Sequence, residues 1–401
     1  MNILVFAHTN DEDSLETGVT SYNLELTKKL SEINFVNKII IILSPRNQKR
    51  YEIFSNTKKI KILSVENQRR KPIFRFLLLF LLSSTSFISH KVILKIFHPR
   101  YCKVLEELEK NEGPFHIAFY TVFGLIPESP AMMKSLTGAR VVSSLHDSRM
   151  LHQKTFNLRK KITNFFEKRS LKIVCEFSDV LLSPSSEVKN DIRKFSKDAL
   201  VFNSFAVPDL KNIYGWKPRN YNGRKYIYYP NTFIETKNHF IFLDILDKDP
   251  ELNLVLSGTG KKNNLAKVFF DECRSRNLNK RIFHEGFVSK ERKIELIEGS
   301  LVLIIPSIGY ESFSLSIWEA FALGCPVIAS NDSDLPEQVK EFGWYCDPKN
   351  PEEILSLINI IKLTNYENSL KQTAARDYYL KSKKNSLISS NFKSWIYSKK
   401  V

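Results

Sequence analysis

Short apolar runs alternate with stretches of helical spacing along this chain, and the alternation happens twice. In the first half, runs at 2–7, 38–43, 115–120, 139–144 and 180–182 are separated by segments such as 21–30, where Leu24, Leu26 and Leu30 fall at helical spacing. Runs at 226–229, 252–257, 281–284, 301–305 and 326–329 repeat the pattern. Strands that alternate with helices pair in parallel through crossovers, so the pattern implies an α/β chain of two Rossmann-like, doubly wound domains facing a cleft. Between the halves, Pro208, Gly215, Pro218 and Gly223 interrupt regular structure. The reading is an N-terminal domain at 1–205, a linker at 206–222, a C-terminal domain at 223–375 and a helical tail at 376–401 set across both domains.

A length of 401 residues suits two such cores better than one. With 43% hydrophobic residues, a disordered chain is excluded. The five cysteines are odd in number, far apart and never in a C-x-x-C pair, which argues against a disulfide framework or a zinc knuckle and for reduced thiols in a cytoplasmic protein. The start, Met1 to Ala7, lacks the basic region and cleavage site of a signal peptide and reads as a buried first strand. The net charge of +17 is uneven: from Lys28 to Lys103 there are 17 basic residues against three acidic ones. Such a block seeks an acidic surface, nucleic acid or anionic lipid. Within it, Arg69, Arg70 and Lys71 precede the apolar run 73–82, which is too short to span a bilayer and suits an interfacial segment on the inner face of the cell membrane or a buried core helix.

The segment from Pro306 to Ala329 carries the most chemistry. A strand ends at Pro306, a loop presents Glu311, a helix opens near Ser314 and Gly324 stops it before the next strand. Unpaired amides at Phe313, Ser314 and Leu315, with the positive end of the helix dipole, make a site for a diphosphate. Carboxylates at the sides of an anion site accept hydroxyls, so Glu311 and Glu319 fit the hydroxyls of a sugar and a ribose. The competing reading makes Glu311 a solvated loop acid and Glu319 an ordinary helix residue.

This segment resembles the E-x7-E signature of glycosyltransferase family 4, and the likeness runs along nearly the whole chain. The run 254–260, ending in Gly258-Thr259-Gly260, is similar to the family's strand with a G-x-G loop, and 283–289, containing Gly286 and Val288, to its segment near the base. The resemblance implies a GT-B fold and a retaining, metal-independent transfer of sugar from a nucleotide-sugar donor to a glycan or lipid-linked acceptor, as in cell-surface polysaccharide synthesis. No separate cofactor is implied.

By the matching positions, Glu311 contacts the donor sugar, Glu319 the ribose, and Phe313, Ser314 and Leu315 the diphosphate. Lys237 is the candidate cation against the leaving diphosphate, or else a solvated loop lysine; the family's Arg upstream of it is absent, with Pro230-Asn231 near its place. His146, at a strand end, resembles a histidine facing the donor sugar, and Gly18 the second glycine of a phosphate loop, although Thr17 stands where the first belongs. Two D-x-D matches, at Asp11 to Asp13 and Asp332 to Asp334, are too short to imply a metal, and Gly258 and Gly260 lack the third glycine of a dinucleotide fingerprint. The alternatives are a nucleotide-sugar epimerase or hydrolase on the same fold and a nucleic-acid-binding protein. The last is disfavoured because no nucleic-acid module is recognisable.

Overall fold

A computed structural model describes residues 1–7, 18–45, 48–65, 78, 82, 90–121, 128–146, 158–196, 199–210, 226–258, 264–309, 311–332 and 334–398. The apolar runs become strands of two sheets in which every described pairing is parallel. The chain divides into two compact units, Met1–Ala206 with Ser386–Val401, and Val207–Asn385.

The first unit holds β1 (Asn2–Phe6), β2 (Lys38–Leu43), β3 (Ile60–Ser64), β4 (Ile117–Tyr120), β5 (Arg140–Ser144), β6 (Val180–Ser183) and β7 (Leu200–Asn203), in the order β3-β2-β1-β4-β5-β6-β7. Ile3 is registered with Ile39 on one side and Ile117 on the other, so the middle of the sheet is apolar across its width. Parallel sheets need both faces covered, and β1, β2 and β4 are accordingly buried almost end to end. The helix Gly18–Ser31 covers part of one face by burying Tyr22, Leu26 and Leu30, four residues apart.

The second unit holds β8 (Tyr226–Pro230), β9 (Asn253–Ser257), β10 (Ile282–His284), β11 (Val302–Ile305), β12 (Val327–Ser330) and β13 (Trp344–Cys346), in the order β10-β9-β8-β11-β12-β13. Between β11 and β12 runs the helix Leu315–Leu323, which is apolar nearly all round and belongs to the core. Gly324 ends it in the left-handed region at φ 64°, and the Cys325 amide reaches back to the Ala320 carbonyl at 2.8 Å.

Three strands went unread in the sequence: β3, β7 and β13. All lie at sheet edges, where half-exposed positions dilute the apolar run on which the reading depends. The chain rejoins the first unit at Ser386, later than the expected tail start at 376, because the helix Asn365–Asn385 continues through that point. The stretch 211–225, most of the expected linker, lies outside the described residues. All five cysteines are free and buried, and burial pushes the Cys102 thiol up to about 11 and those of Cys175, Cys273 and Cys346 to about 12.

The returning segment is fastened at two levels. The Leu387 amide donates to Phe205 O at 3.0 Å, and Ser204 Oγ donates to Leu387 O at 2.7 Å. Beyond it, the helix Ser390–Tyr397 inserts Phe392, fully buried, within 6.2 Å of the Phe119 ring and 5.6 Å of Phe202. Phe392→Ala therefore destabilises the protein by about 3–5 kcal/mol, measured by urea denaturation, since it removes a large ring from a closed site. A loss below about 1 kcal/mol would show that this helix does not pack as described.

Candidate active site

In an open parallel sheet, ligands bind where the strand order reverses, because the loops leaving the two neighbouring strand ends part there and leave a crevice. In the second unit the reversal lies between β8 and β11. The loop after β8 carries Lys237 at the end of a short turn, Glu235–Lys237, and the loop after β11 carries Glu311. Backbone joins the two loops: the Ile308 amide donates to Thr236 O at 2.9 Å. Side chains join them as well, since the Lys237 ammonium donates to Glu311 Oε2 in an ion pair. Both side chains are largely buried, at 16% and 10% exposure, so neither is a solvated loop charge. Ser307 Oγ donates to the same Glu311 oxygen at 2.8 Å, and the Tyr229 hydroxyl donates to Lys237 O at 2.5 Å. Burial, and then the Glu311 charge, hold the Tyr229 hydroxyl well above its ordinary pKa.

The mouth of the helix Leu315–Leu323 lies three residues beyond Glu311. Gly309, at φ 78°, turns its amide onto Asp332 Oδ2 at 2.9 Å, which gives the first carboxylate of the second D-x-D match a structural task. Asp11 to Asp13 lie outside the described residues. The structure alters one detail of the expected anion site. The Ser314 amide donates to Gln338 Oε1 at 2.9 Å, and Gln338 Nε2 donates back to Ser314 O at 2.5 Å, so this buried glutamine occupies a donor assigned to the diphosphate. Leu315 opens the helix, and the Phe313 ring stands 6.3 Å from that of Trp318. One turn deeper, Glu319 faces the Lys293 ammonium at 2.5 Å.

The remaining candidates are spread more widely. Gly258 directly follows β9 at φ 132°, and a Cβ there would stand 2.7 Å from the Asn231 carbonyl, so the glycine is required by the close approach of the loop that leads to Lys237. Thr259 and Gly260 lie outside the described residues. Val288 is half-buried just before Ser289, whose Oγ caps the helix Lys290–Gly299 by accepting the Arg292 amide at 3.1 Å. Gly18 and His146 belong to the first unit. Gly18 opens the helix Gly18–Ser31, while the preceding loop 8–17 is outside the described residues. His146 stands edge-on to Tyr22 at 4.4 Å with Nε2 3.2 Å from Ser144 Oγ. Burial pushes its pKa down to about 4 against an opposing hydrogen bond with the Thr121 backbone, so it is a neutral hydrogen-bonding group at pH 7.

Lys293 and Gln338 escaped the sequence reading. Lys293 does leave a trace: it shares a helical face with the buried Leu296 and Ile297, an unusual position for a lysine without a partner. Gln338 leaves none, because its partner is the backbone of another element.

The family model described as Glycosyl transferases group 1 matches residues 211–377. A stretch of 131 residues is 28% identical to an uncharacterized glycosyltransferase of Methanocaldococcus jannaschii, covering 32% of this chain and 33% of that protein. Another of 69 residues is 38% identical to O-antigen chain mannosyltransferase B of Escherichia coli, covering 17% of this chain and 18% of that protein. The chain thus aligns with a third or less of the length of these relatives. Among solved structures, HepE of Anabaena in complex with UDP superimposes with a TM-score of 0.73 at 14% identity, over 99% of each chain. The fold is that of the GT-B glycosyltransferases: two Rossmann-like, doubly wound parallel sheets.

Next to Lys237, His239 offers a test of the packing. It is 1% exposed, stacked on Phe233 at 4.1 Å, and burial pushes its pKa down to about 4, with the Lys237 and His284 charges acting in the same direction. The unfolded chain takes up this proton near the ordinary value of about 6.5 and the folded chain only near 4, so stability is lost as pH falls from 6.5 toward 4. Urea denaturation between pH 7 and pH 5 should give a steep decline for the parent and a shallower one for His239→Gln. Equal slopes would place His239 in contact with water.

Proposed function

We propose that the protein is a retaining, metal-independent glycosyltransferase that moves a sugar from a nucleotide-sugar donor to a hydroxyl of a glycan or lipid-linked acceptor, in cell-surface polysaccharide synthesis. The observation that carries the reading is the Lys237–Glu311 pair at the reversal of the second sheet, beside the open end of an apolar helix. In the transfer, the acceptor oxygen bonds to the anomeric carbon on the face from which the diphosphate departs, the bond from that carbon to the diphosphate oxygen breaks, and the acceptor's proton passes to that departing oxygen. Negative charge gathers on the leaving diphosphate. A cation held in place by Glu311, together with the helix dipole, stabilises that charge without reorganising at the moment of reaction. Glu311 is then free on its other oxygen to accept sugar hydroxyls, and Glu319 to accept those of the ribose. The UDP and UDP-glucose complexes of HepE and the mannosyltransferase relative agree with a nucleotide-sugar donor.

A thermal-shift panel of nucleoside diphosphates and nucleotide-sugars identifies the donor, because a ligand bound only by the native state raises its melting temperature. With that donor, Glu319→Ala mainly raises KM, Glu311→Ala also lowers kcat, and Lys237→Ala lowers kcat by about tenfold or more. Near-normal turnover in Lys237→Ala would remove the cation from the reaction.

A lipid-linked acceptor calls for an enzyme held at the anionic inner face of a membrane. Arg69 to Lys71 and nearly all of the run 73–82 lie outside the described residues, of which Leu78 and Leu82 are described and buried. Support comes instead from the helix His90–Phe97, where Val92 and Ile96 are 49% and 65% exposed beside Lys91 and Lys95, two cations that share the single carboxylate of Glu106. No described helix is long and apolar enough to cross a membrane. Cosedimentation with vesicles should require anionic lipid, weaken as salt rises and fall in the double variant Val92→Ser, Ile96→Ser. Equal binding to neutral vesicles would defeat the electrostatic docking.

A further inference from the structure

The helix Leu315–Leu323 has one ionisable side chain, Glu319, set among buried apolar neighbours that include Ile317, Trp318, Ala320 and Phe321. A carboxylate only 13% exposed in such surroundings loses much of its hydration, a cost that a cation beside it offsets. Among the described residues that cation is Lys293, on the helix Lys290–Gly299, 2.5 Å from Glu319 Oε2. Its neighbour Arg292 is turned elsewhere, held by Glu285 at 2.8 Å and Glu295 at 3.0 Å.

The geometry of the pair is informative. Glu319 Oε2 is shielded from solvent, with the Lys293 ammonium 2.5 Å from it. A lysine is a point charge, so it compensates the carboxylate through this one oxygen and leaves the other to accept a hydroxyl. A guanidinium would behave differently, since its fork engages both carboxylate oxygens at once. What remains is an ionised group, oriented from the side and able to accept hydroxyl protons, one turn inside a helix whose open end suits a diphosphate.

We infer that Lys293 is a positioning residue for donor recognition: by holding the Glu319 carboxylate in place, it makes the site select a ribonucleotide over a deoxyribonucleotide. This rests on the nucleotide-sugar reading above. A site built to accept hydroxyl hydrogen bonds rejects a ligand lacking them, because its buried acceptor is then left unpaired. Without Lys293, the carboxylate loses its partner and turns toward water, and the ribose hydroxyls lose their acceptor.

The test is isothermal titration of the full chain with UDP and GDP, each beside its 2′-deoxy and 3′-deoxy forms, against the parent, Lys293→Met, Lys293→Gln and the same changes in a Glu319→Gln background. The parent should prefer the ribonucleotide by about tenfold or more, the equivalent of one good hydrogen bond to a charged acceptor. In Lys293→Met and Lys293→Gln that ratio should fall to within about twofold, through weaker ribonucleotide binding and with deoxynucleotide binding unchanged. In the Glu319→Gln background, replacing Lys293 should change the ratio no further. A merely structural lysine would weaken all ligands alike and leave the ratio intact. A ratio preserved in both folded Lys293 variants overturns the inference and leaves the donor reading standing, whereas a parent that binds no nucleoside diphosphate of the thermal-shift panel overturns both.

Discussion

Parallel pairing is the constraint from which the rest of this protein follows. Strands that run the same way cannot be joined by tight hairpins, so each must be followed by a crossover, and both faces of the sheet fill with helices. When the order reverses beside a central strand, the loops from two adjacent strand ends are left without a helix between them. In the second sheet those strands are β8 and β11, and their loops bear Lys237 and Glu311. Residues distant in sequence become partners because the topology gives their loops nowhere else to meet.

The charges around the apolar helix follow a common rule. Glu311 stands before its first turn and Glu319 inside it, and each carboxylate has its own lysine, Lys237 or Lys293. Buried ion pairs of this kind add little net stability, since desolvating two charges offsets most of their attraction. Their effect is on the site. Two bare carboxylates beside a helix mouth would repel a diphosphate, whereas two neutralised ones keep their acceptor oxygens and spare the anion. Backbone contacts hold the frame: Gly258 admits Asn231 to close approach, and Gln338 clamps Ser314 by both of its backbone groups.

The occupation of the Ser314 amide refines how an anion would sit at this mouth. A helix N-terminus offers its first amides in general, but here one of them belongs to the protein. The dipole is untouched by that hydrogen bond, so the electrostatic part of the anion site survives while its donor set narrows.

How much was legible in the sequence can be judged element by element. The central strands were readable because burial on both faces writes them as continuous apolar runs, as in Ile39 to Leu43 and Val302 to Ile305. The helix behind Glu311 was readable because its start, its Gly324 stop and the strands on either side are local signals. By contrast β3, β7 and β13 lie at edges, and their mixed exposure removes the pattern. The sequence set the tail across both domains, but the pairing of Lys237 with Glu311, the pairing of Lys293 with Glu319, the clamp of Gln338 on Ser314 and the seating of Phe392 against Phe119 and Phe202 were decided by tertiary structure alone. Sequence determines what a residue's near neighbours make of it, through periodicity and capping. The partner of a buried charge or amide is chosen by which distant element the fold carries to its side, and no local pattern encodes that choice.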